Sequence, residues 1–486
     1  MYSKLEEKEK SMIDSILFWN EVALEANRVS HTDGSKEQNG PTLSSRALAI
    51  VHLAMYDAYA GVINEPTNLP PYTPGLPQPR AGASAQSAVA AAAFATLSKL
   101  FPSQRTFFDS KRADFDSKLA QERERNDAGR EFGLMVAQKI LDDRKNDPNA
   151  SDAGFQPSLQ RGRHRVDPDN PNQGFNAPFY GARSKGFAIT KRHELCAPPF
   201  DNDEYLKALR QVRGKGIAPE LIGTLPDGIE ARTVEETLIG IFWAYDGTVG
   251  LGTPPRLYNQ IIRRVAIAKG NTEAQNARLF ALVNAAMGDA GILAWDQKYI
   301  YQLWRPVLGV REHDESIGPA ATEANNNISD DGDPFWLPLG APATNSTGAK
   351  NFTPNFPAYP SGHATFGAAA FQIARLFYGK SNSQPDNLFA GLDFISDELN
   401  GKNQDNRGTV RPRHRRKFDD GLWQMIIENG LSRVYLGVHW VFDAFTVDDN
   451  GEPNLSANIG GVPLGLKIAE DIFNSGLKKS TVGPRT

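Results

Sequence analysis

SRVYLGVHWVFD, at residues 432–443, sets Arg433, His439 and Asp443 in a segment that reads as helical, with His439 and Asp443 four residues apart and so on one face. Two earlier fragments belong with it: KYIYQLWRP at residues 298–306 and PSGH at residues 360–363. Lys298 and Arg305 are seven apart, about two helical turns, so both cations can reach one cavity from a single helix that Pro306 then ends. Pro360, Ser361 and Gly362 precede the strongly helical run HATFGAAAFQIARLFYG. The free amides of that helix start, with the Ser361 hydroxyl, can therefore face an anion. Three fixed positive charges and two histidines, His363 and His439, converge on a pocket shaped for phosphate.

The periodicity around these fragments makes the chain all-α. Ala, Leu, Ile, Phe and Arg recur at three- and four-residue steps, and alternating strand-like runs are few. Amphipathic or apolar helices are expected at residues 13–30, 41–60, 83–100, 104–123 and 127–145, enough to close a first bundle. Residues 146–203 are rich in Pro, Gly, Asn and Arg and show no period, which places a boundary there: a helical bundle over 1–202 and a second over 203–486. In the second, helices are expected at 232–245, 256–268, 272–303, 363–378, 417–445 and 459–475, interrupted by irregular stretches at 314–355 and 401–416.

Composition narrows the function. At 486 residues the chain supports large cores without staples, and its single cysteine, Cys196, excludes an intrachain disulfide and a cysteine-based zinc site. A net charge of −4 and a pI near 6.1 argue against a nucleic-acid partner. A mean hydropathy of −0.44, with no apolar run taken as membrane-spanning, argues for a soluble protein without a membrane partner. The start, MYSKLEEKEKSMID, is charged and has no apolar signal core, so the expectation is a cytoplasmic protein or one exported without a visible leader.

Each candidate has a bland counterpart. A buried Arg or Lys is commonly one half of a satisfied ion pair, a helical His a hydrogen-bonded core residue, and PSG a turn. The ordered combination KxxxxxxRP, PSGH and SRxxxxxHxxxD specifies about ten positions, and chance seldom assembles that.

This three-part pattern resembles the signature shared by vanadium-dependent haloperoxidases and the type 2 phosphatidic-acid phosphatase family. The 68 residues between His363 and Ser432 make a long gap for the phosphatase branch. FWAYDG (Phe242–Gly247), GTPPRLYNQI (Gly252–Ile261), FPAYPSGHATFG (Phe356–Gly367) and, more loosely, the WNEVALEANRVSHT start resemble the fungal chloroperoxidase branch. The resemblance implies a vanadate cofactor whose oxygens are held by Lys298, Arg305, Ser361, Gly362 and Arg433. It also implies His439 as the metal ligand, His363 as acid and base, and Lys298 as the group that polarises peroxide.

By the same resemblance Asp246 braces a site cation, while Trp295 and Phe356 form the apolar wall of a halide site. The implied partners are hydrogen peroxide, a halide (bromide, with chloride open) and an organic acceptor. The chemistry suits these roles independently: three cations, a hydroxyl and an amide neutralise vanadate through charge-assisted hydrogen bonds. A neutral imidazole at His439 is a suitable ligand, and its other nitrogen needs an acceptor, for which a backbone carbonyl and Asp443 are both open. The rival from another class is a soluble acid phosphatase, with His439 attacking phosphorus and His363 protonating the leaving oxygen. A noncatalytic phosphate-binding scaffold would not need both histidines.

Overall fold

The computed structural model describes residues 14–119, 122–321, 331–379, 384–448 and 450–485. Its α-helices in chain order are α1 (Ser15–Ser30), α2 (Gly40–Ile63), α3 (Ala85–Leu100), α4 (Arg105–Asp116), α5 (Arg123–Arg144), α6 (Tyr180–Arg183), α7 (Asp203–Lys215), α8 (Val234–Phe242), α9 (Pro254–Lys269), α10 (Glu273–Tyr301), α11 (Pro306–Arg311), α12 (Gly362–Phe377), α13 (Gly421–Tyr435) and α14 (Gly461–Ser475). Among the described residues the strands form two short antiparallel ribbons: β1 (Leu392–Phe394) with β2 (Arg416–Phe418), and β3 (Thr446–Val447) with β4 (Pro453–Asn454). The protein is all-α, as its periodicity predicts.

The longest helix, α10, sits at the centre. A capping box between Thr272 and Gln275 starts it, and from Leu279 to Lys298 every side chain is buried. A helix without a polar face has to lie inside the protein. It packs on α2 and α6 from the first half of the chain and on α12 and α14 from the rest. Helices α3 and α5 close over α2, and α9, α13 and α14 surround α12. The α12–α14 contact is close because Gly465 faces it: a Cβ there would lie 2.5 Å from the Thr365 carbonyl oxygen. Among the described residues one large apolar core runs through all of this, from Ile16 to Leu477, beside a small cluster of Ala244, Leu436 and Val438.

Two expectations are corrected. Helices α2 and α10 are long and apolar enough to cross a membrane, contrary to the reading that no such run exists, but 78% and 94% of those windows are buried inside the protein. They are core helices by packing. The helix expected over 417–445 stops at Tyr435, because Gly437 takes a left-handed φ of 71° and a Cβ there would meet the Gly216 carbonyl oxygen at 2.5 Å.

Helix α7 is not among the helices expected from periodicity, although its ends are marked in the sequence. Asn202 caps it through Tyr205 N, acids fill its first turn, and Arg213 and Lys215 its last. Most of the charged N-terminal start (residues 1–13) and part of the irregular 314–355 stretch (322–330) lie outside the described residues.

Candidate active site

Lys298 and Arg305 do converge, but not from one helix. Gln302 turns left-handed (φ 49°) and ends α10 at Tyr301, and Arg305 is the N-cap residue of α11, which Pro306 begins rather than ends. Lys298 Nζ donates to the carbonyls of Pro357 (2.8 Å), Ala358 (3.0 Å) and Pro360. Arg305 Nε donates to the Phe356 carbonyl (2.8 Å), while Nη1 reaches the Val438 carbonyl (2.7 Å) and His439 Nε2 (2.9 Å). The 356–360 turn is thus threaded onto both cations. The Phe356 ring lies under them, 5.1 Å from Lys298 Nζ and 4.9 Å from the Arg305 guanidinium carbon. Trp295 packs tilted against the same ring, with centroids 4.8 Å apart.

Arg433, near the end of α13, donates to both oxygens of Asp246 at 2.8 and 3.1 Å. Ser361 caps α12, its hydroxyl accepting from Ala364 N at 3.4 Å, and Gly362 opens that helix. The two histidines have defined tautomers. His363 Nε2 stands 2.6 Å from the Ala244 carbonyl, which can only accept, so Nε2 carries the proton and Nδ1 keeps its lone pair. At His439 the order is reversed. Arginine can only donate, so Nε2 facing Arg305 holds the lone pair, and the Nδ1 proton goes to Asp443 Oδ2 at 2.7 Å. The acceptor left open by the sequence is therefore Asp443, which also caps Trp440 N at 3.0 Å. His439 lies beyond α13 in a link of turn and bend, and the pair is held by the 3-10 turn Val441–Asp443.

The electrostatics leave a deficit of negative charge. Lys298, Arg305, Arg433 and Asp443 are all at most 1% exposed. Arg433 has Asp246, whereas the hydrogen bonds of Lys298 and Arg305 go to carbonyls and an imidazole. Burial, then the Arg305 charge, holds the Lys298 ammonium well below its usual range, and burial lowers Arg305 to about 9. Burial and the adjacent arginines also hold His363 and His439 well below 6.5, so both are neutral. Burial pushes Asp443 up to about 7 against the pull of Lys298 and Arg305. Among the described residues of this cluster two cationic donors, Arg305 Nη2 and Arg433 Nε, are buried without a partner. Unpaired buried donors of this kind call for an anion.

A cavity of about 200 Å³ opens onto this cluster, lined by Asp246, Trp295, Phe356, Gly362, His363, Arg433 and His439. Lys298, Arg305 and Asp443 adjoin this lining through Phe356 and His439. The structure adds lining residues that sequence reasoning missed: Asn39, Gly40 and Pro41 at the start of α2, Asn176, and Thr253 and Pro254 at the start of α9. Thr253 and Pro254 belong to the GTPPRLYNQI block, whose likeness to the chloroperoxidase branch was a signal without a role attached. The others carried no signal, because only the fold brings the first bundle to the cavity mouth.

Comparison with known proteins identifies the family. Residues 2–176 match the vanadium chloroperoxidase N-terminal domain, and residues 278–453 match the second helical-bundle domain of the same family. The chain is 38% identical to the vanadium chloroperoxidase of Curvularia inaequalis, over 98% of this chain and 92% of that one. Among solved structures, a bacterial vanadium-dependent iodoperoxidase superposes with a TM-score of 0.59 at 19% identity, covering 94% of this chain and 95% of that chain. A bacterial vanadium-dependent chloroperoxidase in its apo form gives 0.58 at 15% identity, over 90% and 94%. At those identities the structural likeness speaks for the fold.

Proposed function

This chain belongs to the vanadium-dependent haloperoxidase family, and we propose that it uses vanadate and hydrogen peroxide to oxidise bromide, and chloride, to hypohalous acid. The observation that carries the reading is the pair of buried, partnerless donors, Arg305 Nη2 and Arg433 Nε, beside two buried cations whose contacts are neutral. The residues fit an oxyanion of one to two negative charges. Arg305, Arg433, Ser361 and the Gly362 amide would hold its oxygens. Lys298 contributes a fixed charge, since its three protons are spent on carbonyls. The second bundle supplies all of these groups, and the first supplies only part of the cavity mouth.

His439 Nε2, whose lone pair now accepts from Arg305 Nη1, is the nitrogen that would bind the metal in place of that contact, with Asp443 fixing the tautomer through Nδ1. Bound vanadate supplies a Lewis acid that polarises peroxide without changing its own oxidation state. His363 Nδ1, held open by the Ala244 contact, takes a proton from the incoming peroxide and returns one to the departing oxygen. Overall, hydrogen peroxide, a halide ion and one proton give hypohalous acid and water, and the acid halogenates an organic acceptor. Phe356 and Trp295 make the wall against which halide is desolvated, which favours oxidation of the harder substrate, chloride.

The test is a titration of the anion-free protein with orthovanadate in peroxide, bromide and a phenolic dye. Bromination should rise to a plateau at one vanadate per chain and fall when phosphate is added as a competitor. A rate that does not depend on vanadate defeats the proposal.

A further inference from the structure

The ring of His363 is fixed by Ala244, and its backbone carbonyl is fixed by other partners. The His363 carbonyl receives Asn429 Nδ2 at 2.8 Å and the Tyr258 hydroxyl at 3.1 Å, and that hydroxyl also stands 3.0 Å from Asn429 Oδ1. Asn429 and Tyr258 are fully buried. They come from different helices, Asn429 from α13 one turn before Arg433 and Tyr258 from α9. Three helices therefore meet at one carbonyl in the first turn of α12.

Gly367 makes the meeting possible. One turn beyond His363 on the same face, its hydrogen leaves the space that a side chain would fill. A Cβ there would lie 2.4 Å from Asn429 Nδ2 and 3.5 Å from Tyr258 Cζ. Any buried asparagine needs partners, so hydrogen bonding alone decides nothing. The position does. The helix that carries Arg433 reaches across to the residue that carries the proton, through a gap that only glycine leaves open.

We propose that Asn429 and Tyr258, admitted by Gly367, are positioning residues that set the distance between the His363 imidazole on α12 and the oxyanion held by Arg433 on α13. The proposal rests on the reading of His363 as the proton carrier. Without the clamp α12 keeps its own hydrogen bonds, but its first turn is free to slide against α13. The anion ligands stay in place while the base moves away from near-attack geometry.

The test uses full-length Asn429→Leu, Tyr258→Phe and His363→Ala proteins. Vanadate affinity is read by equilibrium dialysis, kcat and KM for peroxide by bromide oxidation, and folding by thermal melting. Because a displacement of about 1 Å costs on the order of 100-fold in rate, Asn429→Leu should lose roughly 10- to 100-fold in kcat, with vanadate affinity changed by less than about threefold. Tyr258→Phe, which removes one hydroxyl and keeps the packed ring, should lose about three- to tenfold in kcat at unchanged vanadate affinity. If Asn429→Leu does not fold, Tyr258→Phe carries the test.

A folded variant with wild-type kcat overturns the clamp, and so does a fall in kcat matched by an equal loss of vanadate affinity. If His363→Ala keeps full turnover, the base assignment fails and takes the proposal with it. If His363→Ala is inactive and the other two are fully active, the clamp alone fails.

Discussion

Replacing Arg305 by lysine keeps the charge and removes the fork, so it separates geometry from electrostatics at the anion site. Arg305 spends Nε on Phe356 and Nη1 on Val438 and His439, and Nη2 remains to meet an anion. A lysine nitrogen cannot hold the Phe356 and Val438 carbonyls, which flank the site, and reach the anion as well. The loss is one charge-assisted hydrogen bond, about 1.5–3 kcal/mol, or roughly 10- to 150-fold in vanadate dissociation constant. Arg305→Met also removes the charge. At about 4 Å and an effective dielectric near 20 that is worth up to about 4 kcal/mol, partly offset because a buried cation no longer has to be desolvated.

The expected order of affinity is wild type, then Arg305→Lys, then Arg305→Met, each step about tenfold or more. Equilibrium dialysis against orthovanadate measures it, with melting curves to confirm folding. A lysine variant that binds vanadate as tightly as wild type would refute the reasoning, because charge alone would then account for the site.

His439→Ala should weaken vanadate by roughly 100-fold or more while weakening phosphate, which forms no metal bond, by much less; equal losses for the two anions would contradict the ligand assignment. His363→Ala should keep vanadate and lose about 10²- to 10⁴-fold in turnover, measured by dialysis and bromide oxidation on one preparation. His363 must be unprotonated to act, and burial with Arg433 lowers its pKa well below 6.5. Peroxide-dependent kcat/KM should therefore hold through mildly acidic pH and fall only as pH drops through that lowered value. An acid limb centred at 6.5 or above would contradict it. Phe356→His disturbs the ring beneath Lys298 and Arg305 and should reduce chloride oxidation more than bromide oxidation, which comparative rates at saturating peroxide will show.

Much of the site is legible in the amino-acid sequence, because its residues carry charge or a nucleophilic ring at fixed spacing. Three fragments point to Lys298, Arg305, Arg433, His363 and His439, and the likeness of FWAYDG to the chloroperoxidase branch points to Asp246 as the brace of a site cation. Their local conformation is less legible. Helical spacing suggests that Arg305 continues α10 and that His439 lies on α13, but Gln302 and Gly437 take left-handed φ and end both helices early. Spacing counts residues and does not register such a turn. The cavity mouth at Asn39–Pro41 and Asn176 is illegible for a different reason: these residues are polar or small and lie far along the chain, the first three reaching the site because α2 packs on α10 and Asn176 because its backbone bonds to Asn355, Trp295 and Tyr299. Asn429 is invisible as well, since its role depends on the missing side chain of Gly367.

The central claim is that this oxyanion site oxidises halide with vanadate rather than hydrolysing phosphate esters. The most direct measurement divides one purified preparation in two. Half is loaded with orthovanadate and given peroxide, bromide and a phenolic dye, and half is kept vanadate-free and given a phosphate ester. Bromination in the first half, requiring both vanadate and peroxide, is the expected result. Ester hydrolysis in the second half with no halide oxidation in the first would contradict it and make His439 a phosphatase nucleophile.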